Sequence, residues 1–426
     1  MASIAASAGI RASASHDLDA RAIKADFPIL ATRRDGKRLV YLDSASSSQR
    51  PRQVLEAMDD YYETTHANVH RGVYAIAEEA TRRYEAARHH VGRFIGAMDP
   101  EKEVVFAKNA TEALNLVASS YGRHLLPPGR AVVLTEMEHH ANIVPWLMLA
   151  AERGTELRYL GVTDDFHLDL SDLERLVDGA GIVSVTAMSN VLGTINDLAP
   201  IVAAAHAAGA IVVCDASQLA PHRRIDVAAL GVDLLAFTGH KMLGPTGIGV
   251  LWGRRELLEA MPPFLGGGEM IRDVRLDGFT ANDVPWKFEA GTPPIAEAIG
   301  LDAALSYLEA IGMEAVAAHE AALTAFGIET LRADHGGDIR IYGPEADPAS
   351  RGGAISIGYR DIHPHDLAQV LDAEGVCVRA SHHCAKPLMR RLGVPATARA
   401  SLYVYNLEED LTALSAALRA ARSLFG

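Results

Sequence analysis

Asp233-Leu234-Leu235-Ala236-Phe237-Thr238-Gly239-His240-Lys241 is the stretch on which the fold turns. A dense apolar run closed by glycine predicts a short buried strand that delivers its last residues to the edge of a sheet. Lysine is rarely buried without a partner, and burial lowers its pKa toward the neutral amine. A neutral amine in a cleft is the form that makes a Schiff base with an aldehyde. A surface lysine just after a strand is the plain alternative for this stretch alone.

The second clue lies upstream. Ile211-Val212-Val213-Cys214-Asp215 is another apolar run, and it ends in an acid followed by Ala216-Ser217-Gln218. An aspartate at a strand's carboxyl end fits a doubly wound sheet, whose ligands sit outside the strand ends. Pyridoxal phosphate needs such a pair: a lysine for its aldehyde and an acid to keep its ring nitrogen protonated. Asp215-Ala216-Ser217-Gln218 with Thr238-Gly239-His240-Lys241 resembles the aminotransferase class V family of fold-type I pyridoxal-phosphate enzymes.

Composition sets the outer bounds. A chain of 426 residues can bury a large core and suggests two domains. Its 40 basic and 54 acidic residues give a formal charge of −14, which leaves a nucleic-acid groove without electrostatic support. Three cysteines provide no disulfide framework and point to a reducing, cytoplasmic setting. No run approaches the roughly 20 apolar residues of a membrane span, so no membrane partner is expected.

Residues 1–18, rich in Ala and Ser, read as a mobile tail. From Glu103 onward, short apolar strands alternate with helical stretches. Strands are predicted at 104–106, 131–134, 157–160, 182–185, 211–213, 234–237 and 248–251. This rhythm predicts an α/β architecture with a mainly parallel sheet covered on both faces. Gly266-Gly267-Gly268 and the polar stretch to Trp286 interrupt it and suggest a hairpin or lid. Two long Ala-rich helices follow Thr292, then shorter strands and a last helix from Glu408. The expected division is a large cofactor-binding domain over 19–292 and a smaller α+β C-terminal domain over 293–426.

Several further stretches carry chemistry. Asn109-Ala110-Thr111-Glu112 follows a strand and starts a helix, where free N–H groups bind phosphate; a plain N-cap is the alternative. In Glu138-His139-His140-Ala141-Asn142, a histidine can stack on a planar ring and shuttle protons near neutral pH. Solvated loop histidines are the alternative there, and no third ligand at zinc-like spacing lies nearby. Asn190 closes a strand and offers an amide to a ring or substrate. Arg71, in a polar loop, reads as a phosphate or carboxylate ligand or as a solvated charge.

Cys214 and Cys377 alternate within apolar strands and read as small core residues. Cys384 instead lies in a polar loop beside His382, His383 and Lys386, a setting that favours thiolate and marks a nucleophile. One cysteine with two adjacent histidines cannot easily wrap a tetrahedral ion, so no metal site is expected. Arg399 opens a strand and reads either as a carboxylate clamp or as half of a structural salt bridge.

Together the Glu138–Trp146 block, Ser189-Asn190-Val191-Leu192-Gly193, the stretch Phe288–Pro293, His382-His383-Cys384-Ala385 and Arg399-Ala400-Ser401-Leu402 resemble SufS-type (group II) cysteine desulfurases. The resemblance runs from about Ala25 to the C-terminus. It implies the fold-type I transferase fold and a homodimer that converts L-cysteine to L-alanine, with a persulfide on Cys384 that supplies iron–sulfur cluster assembly. It implies that Lys241 holds pyridoxal 5'-phosphate and moves protons, that Asp215 pairs with the ring nitrogen, and that Gln218 meets the ring hydroxyl. His139 would stack on the ring and take part in catalysis. Ala110, Thr111, Thr238 and His240 would hold the phosphate, joined by Thr292 from the other subunit. Asn190 would also meet the cofactor and, with Arg399, orient substrate, while Arg379 lines the entrance. A sulfur acceptor of the SufU or SufE type would dock beside Cys384. Where the acceptor carries zinc, the resemblance gives His365 the role of taking over a zinc site. Ser381, Ala216 and Pro294 depart from the residues usual in the family and bear on rate. The rival readings are a selenocysteine lyase acting on L-selenocysteine, another pyridoxal-phosphate β-elimination, and a non-catalytic platform that retains the fold. A platform has no need for both Lys241 and Cys384.

Overall fold

In the computed structural model, which describes residues 18–425, seven strands build the central sheet. They are β1 Val104–Ala107, β2 Ala131–Thr135, β3 Leu157–Leu160, β4 Ala180–Thr186, β5 Ile211–Asp215, β6 Leu234–Thr238 and β7 Gly249–Gly253. Their order across the sheet is β1-β7-β6-β5-β4-β2-β3. Only β7 runs against its neighbours, pairing antiparallel with both β1 and β6. All seven strands expected from the sequence are present. Most of the stretch read as a mobile tail, residues 1–17, lies outside the described residues.

The strands other than the partly exposed edge strand β3 are buried on both faces because helices cover both. Successive side chains of a strand point to opposite faces, and the two cores divide accordingly. Phe106, Val133, Val185, Cys214, Leu235 and Phe237 enter one core, shared with the helices Arg52–Thr64 and Ala75–Phe94. Val105, Val132, Ile182, Val213, Leu234 and Ala236 enter the other, shared with Ala110–Val117 and Val144–Arg153. The parallel strands β4, β5 and β6 therefore end together, with Thr186 beside Asp215 and Asp215 beside Ala236. This shared end is where a ligand site belongs in an open α/β sheet.

A second, antiparallel sheet has the order Ile339–Tyr342, Ala354–Tyr359, Thr397–Ser401, Arg379–Ser381. Its core takes residues from the helices Met313–His335, Pro364–Ala373 and Glu408–Phe425. Val40 and Leu42 join that core from the other end of the chain, and Val40–Tyr41 pairs in parallel with Val376–Cys377. Arg399 lies in mid-strand, not at the strand opening expected from sequence, because the strand begins two residues earlier at Thr397, which pairs with Ser381, and pairing with Ala354–Tyr359 begins at Ala398. The helix Ile295–Ile311 is apolar nearly all round and buries Ile299, Leu301, Leu305 and Leu308 in the first core. The change from one core to the other thus falls after this helix, later than the division expected at 292. The glycine-rich interruption contains an exposed hairpin, Ile271–Arg275 with Gly278–Ala281.

Candidate active site

A cavity of about 310 Å³ opens at the shared strand end, between the two sheets. Of the residues expected to meet cofactor or substrate, all but Thr292 and Arg71 line it. The elements converge for simple reasons. Asp215 is the last residue of β5, and Lys241 ends the single 3-10 turn that follows β6. Asn109 caps the helix Ala110–Val117, its side chain accepting from Glu112 N–H at 2.9 Å. The plain capping role therefore belongs to Asn109. Ala110 and Thr111 face the cavity with the open helix N-terminus. Gly249 makes this approach possible: a Cβ there would lie 2.4 Å from the Asn109 backbone.

The residues present fit pyridoxal phosphate. The Thr238 hydroxyl is buried without a hydrogen-bond partner, an orphan that a phosphate oxygen would satisfy. It stands beside the helix N-terminus, whose N–H groups and dipole favour the same anion. Asp215 is buried and held by Ser217, whose N–H and hydroxyl both donate to Oδ1 at 3.0 and 2.6 Å. Gln218 donates to the Ala45 carbonyl at 2.8 Å, which fixes its amide at the cavity wall.

Burial sets the protonation states. It pushes the Lys241 amine down to about 8, against the upward pull of Asp215 and with the help of Arg399. His139 is pushed down to about 3, first by burial and then by the Lys241 charge. Its Nδ1 accepts from Ala141 N–H at 3.1 Å, so the proton sits on Nε2. His139 thus presents a flat neutral ring of fixed tautomer, whereas the sequence suggested a histidine titrating near neutrality. The Glu138 carboxyl behind it is pushed up to about 8 by burial, against the pull of donors from Asn142, Thr186 and Thr135.

Two arginines form the outer wall. Arg379 and Arg399 stand directly opposite each other on adjacent antiparallel strands. Asp43 bridges them, at 3.0 Å from Arg379 Nη2 and 3.3 Å from Arg399 Nη2. Arg399 also donates to the Asn190 carbonyl at 2.6 Å and to Ser46 Oγ at 2.9 Å, while its Nε is buried without a partner. Asp43 had no role in the sequence reading. An acid at the end of a short strand was the available signal, but the arginines that give it meaning are more than 300 residues away.

The loop carrying Cys384 is held in a costly shape. His383 and Cys384 have φ of 50° and 53°, a left-handed backbone that side chains other than glycine rarely adopt. Several contacts enforce it. His383 is buried, with Nε2 2.8 Å from Thr397 Oγ1, and its carbonyl accepts from Asn190 Nδ2 at 2.7 Å. The Ser381 hydroxyl accepts from His383 N–H at 2.8 Å. His140 N–H donates to the Cys384 carbonyl at 2.7 Å. The Asn190 amide therefore holds the loop, in addition to facing the cavity as expected. Cys384 is exposed and Cys214 is buried, as their settings suggested, whereas Cys377 is half-buried and not the core residue expected.

Two residues lie elsewhere. Arg71 pairs with Glu269 at 3.0 Å, so it ties its loop to the hairpin region and does not reach the cavity. Thr292 is exposed and lines a separate depression with Lys108 and Glu112.

Comparison with known proteins agrees with this geometry. The family model described as aminotransferase class-V matches residues 40–414. A probable cysteine desulfurase of Streptomyces coelicolor is 52% identical over 96% of this chain and 98% of its own length. A cysteine desulfurase of Haloferax volcanii is 46% identical over 98% of this chain and all of its own length. The solved cysteine desulfurase from Thermococcus onnurineus superposes with a TM-score of 0.90 at 40% identity, covering 96% of this chain and 100% of that one.

The lowered Lys241 pKa predicts a pH dependence. In cofactor-free protein, labelling of Lys241 by a limiting amine-selective reagent should rise with pH and level off above about 8. Asp215→Asn should move the midpoint lower, because Asp215 holds the charged form. Peptide mapping across pH checks both. A Lys241 rate that still climbs at high pH with the exposed lysines contradicts the assignment.

Proposed function

The chain belongs to the aminotransferase class-V family, and on that footing we propose that it is a cysteine desulfurase of the SufS type. It converts L-cysteine to L-alanine and retains the sulfur as a persulfide on Cys384. One observation carries this reading: an exposed thiol on a rigidly held loop faces a cavity floored by Lys241 and Asp215.

The cofactor is pyridoxal 5'-phosphate; Lys241 would hold its aldehyde, Asp215 would keep its ring nitrogen protonated and His139 would stack on its ring. Thr111, Thr238, His240 and the N-terminus of the Ala110–Val117 helix would take the phosphate. When bound, its protonated ring supplies an electron sink. Arg399 orients the substrate carboxylate through its free Nε, with its other nitrogens fixed by Asn190, Ser46 and Asp43. The Lys241 amine takes the α-proton, and a proton is given back to Cα before alanine leaves. The Cys384 thiolate attacks the substrate sulfur; the S–S bond forms as the carbon–sulfur bond breaks, and Cβ gains a proton. One cysteine and one thiol thereby give one alanine and one persulfide.

Cys214, Cys377 and Cys384 are all free thiols, and no helix among the described residues is long and apolar enough to cross a membrane. The free thiols fit a reducing, cytoplasmic setting, and the persulfide would supply sulfur to iron–sulfur cluster assembly. A homodimer is supported by Thr292, which is exposed outside its own cavity. The stretch leading to it is pinned by Glu289, which pairs with buried Arg88 at 2.6 Å and accepts from Phe106 N–H at 2.7 Å. Thr292 then completes the phosphate site of a second copy. His365, exposed in the first turn of the helix Pro364–Ala373, offers an imidazole to a sulfur acceptor of the SufU or SufE type.

Three outcomes follow. In a single turnover with cysteine, Cys384→Ser should make almost no alanine, whereas Cys214→Ser and Cys377→Ser turn over and the parent gains one sulfur on Cys384 by mass. The reverse pattern in stable variants rejects the nucleophile. Mixed Lys241→Ala and Thr292→Ala subunits should recover part of the activity once exchange is demonstrated, and no recovery argues against shared sites. His365→Ala should keep reductant-driven alanine formation and lose most stimulation by a zinc-bearing acceptor; equal stimulation of variant and parent rejects the docking role.

A further inference from the structure

His140, His382 and Cys384 meet where Cys384 lines the cavity, each placing one potential ligand atom within 4.8 Å of the other two. The grouping was invisible in the sequence, where His382 and His383 seemed to be the imidazoles beside the thiol. The structure turns His383 inward to Thr397 and brings His140 across from the turn after β2. Two separate loops therefore supply the donors, which removes the steric objection to three adjacent residues wrapping one ion.

The site is also prepared. His140 N–H donates to the Cys384 carbonyl, which fixes the two loops against each other. His140 Nε2 accepts from Lys386 N–H at 3.1 Å, and His382 Nδ1 accepts from Cys384 N–H at 3.1 Å. A ring nitrogen that accepts a hydrogen bond carries a lone pair, so each imidazole has one unprotonated nitrogen available. Cys384 is exposed and both histidines are half-buried, so an ion can arrive from solvent and keep a water as its remaining ligand. Two imidazoles and a thiolate, with one open position, are a donor set suited to Zn²⁺ and similar borderline-soft cations.

We propose that His140, His382 and Cys384 form a binding site for a zinc-like divalent cation that reversibly caps the Cys384 sulfur. Binding forms a metal–sulfur bond and releases the thiol proton to water, with no change of oxidation state. Each ring exchanges its backbone hydrogen bond for the metal. A capped sulfur cannot attack another sulfur, so the occupied site switches Cys384 off. The proposal rests on donor geometry and holds whether or not the reaction is cysteine desulfuration.

The test uses cofactor-loaded protein without cysteine or other thiols, and metal alone as probe. Co²⁺ should give a thiolate-to-metal charge-transfer band in the parent that is absent in Cys384→Ser. Buffered Zn²⁺ should protect Cys384 from alkylation, followed by the mass of its peptide. His140→Ala and His382→Ala should each raise the zinc concentration for half-protection at least tenfold, while their Cys384 remains alkylated in zinc-free buffer. A cobalt band that survives Cys384→Ser overturns the proposal. So does the same half-protection in the parent and both histidine variants.

Discussion

A single carboxylate, Asp43, makes the outer wall of the site possible. Like charges directly opposite each other on paired strands repel, yet Arg379 and Arg399 occupy that relation. Asp43 lies between them and bonds to both, so the cluster carries one net positive charge where two would stand alone. Among the described residues Asp43 is the one counter-ion of Arg399, which is almost wholly buried. A buried guanidinium without a partner is among the most costly arrangements in a protein. Its other contacts, the Asn190 carbonyl and Ser46 hydroxyl, are neutral.

Asp43 can serve both arginines because its segment is stitched to both sheets. Just before it, Val40–Tyr41 forms a parallel pair with Val376–Cys377, and Asp43 itself bridges to Ser401. Just after it, Ala45 accepts from Gln218, and the Ser48 hydroxyl accepts from Leu243 N–H at 2.8 Å. Ser48 N–H donates to the His240 carbonyl, beside the lysine. A few residues near the start of the described chain thus set the distance between the cofactor floor and the arginine wall. Asn190, which donates to the His383 carbonyl and accepts from Arg399, also ties the same two sheets.

The sequence made the central sheet legible because its strands are buried on both faces and so stand out as continuous apolar runs. Asp215 and Lys241 were legible for a related reason, since polar residues that close such runs must lie at the strand ends. The exposed Cys384 stood out against two cysteines in apolar settings. What stayed hidden depends on contacts between distant parts of the chain. Asp43 needs Arg379 and Arg399 to acquire a role, Asn190 reads as a substrate ligand until the His383 carbonyl appears beside it, and His140 looks like a loop residue until it meets Cys384. The helix Ile295–Ile311 was placed with the wrong core for the same reason: an all-apolar helix carries no mark of which neighbour it faces.

The same burial that shapes the cavity also sorts its charges. His139, His240 and His383 are held down to about 3, 4 and 3, in each case first by burial and then by a nearby cation, Lys241 or Arg399. At neutral pH these rings add no positive charge, and hydrogen-bonding direction is what they contribute. Cationic character is left to the arginine wall and, in part, to Lys241, whose amine lies close to its own midpoint. An anion entering the cavity therefore meets the fixed charge of the arginine pair and an open helix N-terminus at separate parts of the lining, while the rings stay neutral. That separation suits a substrate whose carboxylate must be gripped at one point while its proton is exchanged at another. A single broad field would bind the anion without orienting it, and orientation is what brings a reacting sulfur to Cys384.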